Sequence, residues 1–144
     1  SISDGAAALM LTSRGEAERL GLTVLATIKG HTTHAQEPSL FTTAPVGAMA
    51  KLLANVGWST DEVDLFEINE AFAMVTMLAV SELGLDVAKV NVNGGACALG
   101  HPIGCSGSRL LVTLIHALKA RGLKRGVASL CIGGGEATAM AIEV

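Results

Sequence analysis

Aromatic side chains are almost absent from this chain: three phenylalanines, one tryptophan and no tyrosine, 3% of 144 residues. A core must therefore be closed by aliphatic side chains. Half of the residues are apolar, which suits close packing of helices on a sheet in one domain. Basic clusters are missing too. Ten Lys and Arg stand against 13 Asp and Glu, a formal charge of −3, and this argues against a nucleic-acid partner. No apolar run reaches the roughly 20 residues that a membrane-spanning helix needs, so no membrane partner is expected. Cysteine is scarce and odd in number. Cys97, Cys105 and Cys131 follow no signal-peptide pattern and read as reduced thiols of a cytoplasmic protein. The chain opens on Ser1 without a methionine and enters an apolar run almost at once, so a processed chain or a piece of a longer one is expected.

Glycine, by contrast, is plentiful, and it concentrates. The stretch Asn91–Gly107 (NVNGGACALGHPIGCSG) holds five glycines, one histidine, one proline and two cysteines between a strand-like run and a long amphipathic pattern. Such density means tight turns or close approach of backbone to something else.

Around it the elements alternate. Gly5–Leu11 and Thr23–Ile28 read as strands, with a short helix over Arg14–Leu20 capped by Ser13 and stopped by Gly21. The polar stretch HTTHAQEPSLFTT reads as a surface loop or interface. Pro45 opens a helix whose Val46, Met49, Ala50, Leu53 and Val56 keep helical spacing up to Gly57. Ser59 and Glu62 stand in capping-box spacing ahead of a strand, Val63–Ile68. A helix is expected from Glu70 to Leu83, then a strand at Val90–Val92. The longest helix opens at Ser106 or Ser108 and stops at Gly122, with Lys119 and Arg121 near its carboxyl end. Strands at Val127–Cys131 and Ala137–Val144 close the chain, the last antiparallel to its predecessor. The pattern is an α/β layer domain with a largely parallel sheet covered on both faces.

Open parallel sheets bind ligands beyond the carboxyl ends of their strands. This topology puts Asn69, His101 and Cys131 at one edge, beside the backbone N–H groups of Gly133–Gly135. An amide, an imidazole, a thiol and free N–H groups are what proton transfer next to an oxyanion requires. Singly, each has a plainer reading: Cys131 as a small buried hydrophobe, His101 as a structural hydrogen-bond donor, Asn69 as the N-cap of the next helix. Zinc on Cys97, His101, Cys105 and Cys131 would lack any CxxC pair, and no metal is expected. Neither a P-loop nor a GxGxxG spacing supports phosphate binding. His31 and His34 fall on opposite faces of a strand. Met49, Met74 and Met77, at helical spacing, read as core.

Three ordered motifs then resemble those of a known family. Asn69-Glu70-Ala71-Phe72 looks like the NEAF motif of thiolases, Gly100-His101-Pro102-Ile103-Gly104 like their GHP motif, and Cys131-Ile132-Gly133-Gly134-Gly135 like their CxG motif. The resemblance covers almost the whole chain and corresponds to the carboxyl-terminal half of a thiolase. It implies a thiolase-type layered α/β domain with a mixed, mostly parallel five-stranded sheet and helices on both faces. Residues 1–21 would be the last strand and helix of the amino-terminal half, and residues 22–144 the carboxyl-terminal domain. The implied activity is acyl-CoA C-acyl transfer, foremost an acetyl-CoA C-acetyltransferase making or cleaving acetoacetyl-CoA. Coenzyme A thioesters would be substrates, with no further cofactor. His101 would activate a nucleophilic cysteine and help bind a thioester oxygen, and Asn69 would hold a water completing that oxyanion site. Cys131 would be the acid/base, its thiol lowered by an imidazole, and the Gly133 N–H would line a second oxyanion hole. Ala71 and Phe72 would lie along the pantetheine tunnel.

Two departures from the family pattern stand out. No residue here matches the acyl-accepting cysteine, so an amino-terminal half carrying it is an expected partner, within a homo-oligomer. Cys97 and Cys105 read as packing instead. Phe41-Thr42-Thr43-Ala44-Pro45 replaces a Met-Gly-x-Gly-Pro run that borders the acyl pocket, which leaves a longer-chain 3-ketoacyl-CoA thiolase half as an alternative. A non-catalytic thiolase-like assembly subunit is the other.

Overall fold

A computed structural model describes residues 1–144. Four strands, β1 (Thr27–Ala35), β2 (Leu65–Ile68), β3 (Arg125–Ile132) and β4 (Glu136–Glu143), form one sheet in the order β1-β4-β3-β2. β2 runs parallel to β3, with Phe66 opposite Val127, and β4 is antiparallel to both of its neighbours. The helices are α1 (Arg14–Arg19), α2 (Ala44–Val56), α3 (Ala73–Leu83), α4 (Ala96–Leu99) and α5 (Ser106–Arg121). α2 and α3 bury Met49, Leu52 and Val75 with Phe66 and Ile68 of β2. On the opposite face α5 packs Leu110, Leu114 and Leu118 against Leu65, Ala128 and Ile142. The α/β class and the helices on both faces agree with the sequence.

The sheet itself differs from expectation. It has four strands rather than five, and one parallel pairing among its three. The antiparallel share arises because the glycine turn sends β4 back along β3, and β1 then pairs with β4. Gly5–Leu11 finds no neighbour to pair with, and Met10 is left 83% exposed. Val90–Val92 contributes one parallel bridge, Val90 to Phe66, before Asn91 adopts φ 47 and turns the chain away.

β1 begins later than expected and runs through His31, Thr32, Thr33 and His34, where a surface loop or interface is expected from the sequence. As the edge strand it has one ladder partner, and its polar side chains can reach water. Its one buried threonine, Thr32, donates its hydroxyl to the Ala48 carbonyl at 2.8 Å. The rest of that stretch forms a 3-10 segment over Pro38–Thr43.

α3 starts at Ala73, three residues later than expected, because Phe72 is extended (φ −138°, ψ 152°), so Asn69 is not its N-cap. Of the three methionines read as core, Met49 is buried. Met74 and Met77 face outward on α3, whose sequence is apolar all round and so gives no directional signal.

Candidate functional site

The carboxyl ends of the parallel pair β2 and β3, the start of β4 and the end of β1 all meet at one edge of the sheet. Asn69 follows β2 directly. Its backbone N–H donates to the Ser129 carbonyl at 2.9 Å, carrying the parallel ladder one residue past the strand. Alternation along β2 turns Leu65, Glu67 and Asn69 toward α5.

His101 lies in the loop that precedes α5, and Asn69 meets it there. Asn69 Nδ2 is 3.3 Å from His101 Nε2, and Asn69 is fully buried. Asn69 Oδ1 has no hydrogen-bond partner in the chain. The other ring nitrogen, Nδ1, lies 2.7 Å from Ser106 Oγ, which in turn is 3.1 Å from the Pro102 carbonyl. Burial, then the positive charge of Arg109, holds the imidazole below its ordinary value. The loop is anchored from outside as well: the His101 N–H donates to the Ser1 carbonyl at 2.9 Å, and Ile2 forms a parallel bridge with His101.

Cys131 sits near the end of β3, half-buried, with its side chain on the α2 face of the sheet. It makes no hydrogen bond to His101 or Asn69. Burial pushes its thiol above the ordinary range, with a smaller opposing pull from its own backbone. The expected lowering by an imidazole is therefore absent; the surroundings are apolar and no ring nitrogen touches the sulfur. None of the N–H groups of Gly133, Gly134 and Gly135 donates a hydrogen bond within the chain. The turn is fixed from beneath: the Gln36 N–H donates to the Gly135 carbonyl at 2.9 Å. Gly135 has φ 95, and a Cβ there would stand 2.3 Å from the Gln36 carbonyl oxygen, so only glycine fits.

Ala71 packs on the α2-side core, whereas Phe72 is 57% exposed and meets Phe41 edge to face, ring centroids 6.1 Å apart. Cys97 is exposed rather than packed, because α4 turns that side outward. The residues considered for zinc do not assemble; no group of three or more His, Cys, Asp or Glu side chains converges.

Three residues that sequence reasoning passed over support this edge. Glu70 receives Asn91 Nδ2 at 3.1 Å and the Cys97 N–H at 2.9 Å, tying the start of the glycine-rich loop to the end of β2. Asn91 also exchanges hydrogen bonds with the backbone of Ile68, at 2.8 and 2.9 Å, which replaces the missing fifth strand. Glu67, only 1% exposed, pairs with Arg109 of α5 at 3.2 Å and leaves Oε1 unpaired. Burial outweighs the Arg109 attraction and pushes this carboxyl up to about 7. The one available signal was the acidic residue inside an otherwise apolar strand.

Comparison with known proteins agrees with the motifs. The family model described as the thiolase carboxyl-terminal domain matches residues 22–144. Acetyl-CoA acetyltransferase 2 of Arabidopsis thaliana is 55% identical over 144 residues, all of this chain and 36% of that protein. The crystal structure of the Bacillus anthracis acetyl-CoA acetyltransferase superposes with a TM-score of 0.89 at 49% identity, covering 91% of this chain and 33% of that one. Human mitochondrial 3-ketoacyl-CoA thiolase in complex with CoA gives 0.88 at 44% identity, over 91% and 33%. The chain thus spans about a third of the length of these relatives.

Proposed function

Because this chain belongs to the thiolase family, we propose that it supplies the oxyanion-binding and acid/base part of an acetyl-CoA C-acetyltransferase site. Residues 22–144 form its carboxyl-terminal domain, residues 1–21 complete an amino-terminal half, and that half brings the nucleophilic cysteine. The observation that carries the reading is the 3.3 Å approach of Asn69 Nδ2 to His101 Nε2, at the edge where Cys131 and the unpaired glycine N–H groups also lie.

In this reading His101 Nε2 takes the proton of the nucleophilic thiol, and the thiolate attacks the thioester carbon of acetyl-CoA. The adduct expels CoA thiolate, which recovers the proton. His101 and a water on Asn69 hold the thioester oxygen. Cys131, as its thiolate, then removes a proton from the methyl group of a second acetyl-CoA, the C–H electrons passing into an enolate. The enolate carbon attacks the acyl-cysteine, whose oxygen rests on the Gly133 N–H. Collapse expels the cysteine thiolate, which regains the proton from Cys131, and acetoacetyl-CoA leaves. In cleavage the steps reverse: Cys131 takes the proton of the nucleophilic thiol and delivers it to the enolate carbon. Ala71 and Phe72 line the approach of the pantetheine. Three free thiols suit a reducing compartment, and this supports a cytoplasmic location.

Acetoacetyl-CoA thiolysis, measured on these residues alone and after mixing with a matching amino-terminal half, tests the proposal. Turnover is expected from the mixture only. Turnover by the 144 residues alone would refute an external nucleophile.

A further inference from the structure

Resting on the thiolase reading, we propose that Ser106 is a positioning residue that holds His101 in the tautomer with its proton on Nδ1, leaving the Nε2 lone pair for proton transfer. Two hydrogen-bond patterns are compatible with the short contacts around the ring, and they make opposite assignments. In the first, the Ser106 hydroxyl donates to the Pro102 carbonyl, 3.1 Å away, and its oxygen accepts from His101 Nδ1–H at 2.7 Å. Nε2 is then an acceptor, and the Asn69 amide N–H at 3.3 Å donates to it. In the second, the hydroxyl turns to donate to Nδ1, the Pro102 carbonyl loses that donor, and Nε2–H must face the Asn69 oxygen after the amide is turned over.

The first pattern keeps all three contacts, whereas the second gives up the one to Pro102. Ser106 is 1% exposed, and the Pro102 carbonyl also accepts the Cys105 and Ser106 N–H groups at 2.9 and 3.0 Å, so the first pattern is favoured by the one buried hydroxyl bond that it keeps. The surrounding charges favour the same neutral ring. Arg109, from the same helix, acts against a proton on the imidazole, while Asn69, from the end of β2, brings no charge. Glu67, which could draw a proton toward this region, is engaged with Arg109.

The consequence is directional. When Nε2 takes a proton from a thiol, the Asn69 N–H releases the Nε2 lone pair, the ring becomes an imidazolium whose Nδ1–H remains bonded to Ser106, and the new Nε2–H can donate to a thioester oxygen. When the proton is given back, the starting tautomer returns without ring rotation. With Ser106 removed, both tautomers become accessible and the ring loses one of its two side-chain supports.

The test uses the protein that carries these residues together with an amino-terminal thiolase half. Nitrogen-15 NMR of labelled histidine should show Nδ1 protonated and Nε2 unprotonated for His101 in the parent protein at neutral pH. Ser106→Ala should give a mixed tautomer and lower kcat about 10²-fold, the scale of a misplaced catalytic group, with KM within about threefold. Ser106→Thr keeps the hydroxyl and should restore both signals. Nε2–H as the resting tautomer in the parent protein overturns the proposal, as does a Ser106→Ala protein with parent kcat. Should the alanine variant not fold, the parent spectrum and Ser106→Thr still decide. The spectrum needs no turnover, so an inactive parent protein would count against the thiolase reading and leave this test intact.

Discussion

At the scale of single residues, the thiolase reading makes Cys131 and His101 indispensable. Cys131→Ala and His101→Ala, in a complex completed by an amino-terminal half, are expected to lower both synthesis and thiolysis by about 10³-fold or more, the range of a lost acid/base group. Unchanged rates would favour the non-catalytic alternative. Because burial holds the Cys131 thiol above its ordinary range, the rate of acetoacetyl-CoA synthesis should keep rising with pH past the point where a free thiol has ionised. A pH–rate profile that levels near neutrality would contradict this. Glu67 offers a stability test. Its folded value of about 7 exceeds that of an unfolded chain, so the folded state holds the extra proton between about pH 4.5 and 7. Stability should therefore decline as pH rises through that window, by up to about 3 kcal/mol, and stay low above it. Urea melts of Glu67→Gln should lose this slope, since the amide keeps an acceptor for Arg109 without the charge.

At the scale of elements, the turn between β3 and β4 is the most constrained piece. Gly135→Ala places a side chain at φ 95 and against the Gln36 carbonyl oxygen, so a loss of about 2 kcal/mol or more is expected, measured by denaturant melts. Thiolysis should fall further than stability alone explains, because the Cys131 loop must move. Much at this scale was legible beforehand. The glycines at 57, 84 and 122 end α2, α3 and α5, Ser13 caps α1, and Ser59 and Glu62 bond as their spacing implied. What stayed hidden depended on distant partners. β1 is a strand only because β4 returns beside it, and Gly5–Leu11 is not one because nothing lies alongside. At the site, the motif residues Asn69, His101 and Cys131 could be placed at one edge from topology. Ser106, Glu67 and Asn91 could not be found, since a serine opening a helix, an acid in a strand and an asparagine in a turn carry no pattern that names their partners.

At the scale of the molecule, apolar surface is distributed unevenly. Met10, Leu11, Leu22, Val24, Leu25 and Ile28 are exposed around a groove floored by Leu111, Ile115 and Met140, and Phe72, Met74 and Met77 are exposed as well. Surfaces of this kind are unusual for a free monomer. The isolated 144 residues should bind a hydrophobic dye and self-associate on size exclusion, and a matching amino-terminal half should suppress both. A dye-silent monomer would show that these surfaces need no cover. One contact links this scale to the chemistry. His101 belongs to the region matched by the family model, residues 22–144, yet its N–H is held by the carbonyl of Ser1, and a Cβ on Gly100 would meet the Ser3 hydroxyl at 2.4 Å. The boundary of the domain is therefore not the boundary of the site. A protein trimmed to residues 22–144 would keep every motif residue, but its histidine loop should exchange amide hydrogens faster, like a hinged panel with one fastening withdrawn.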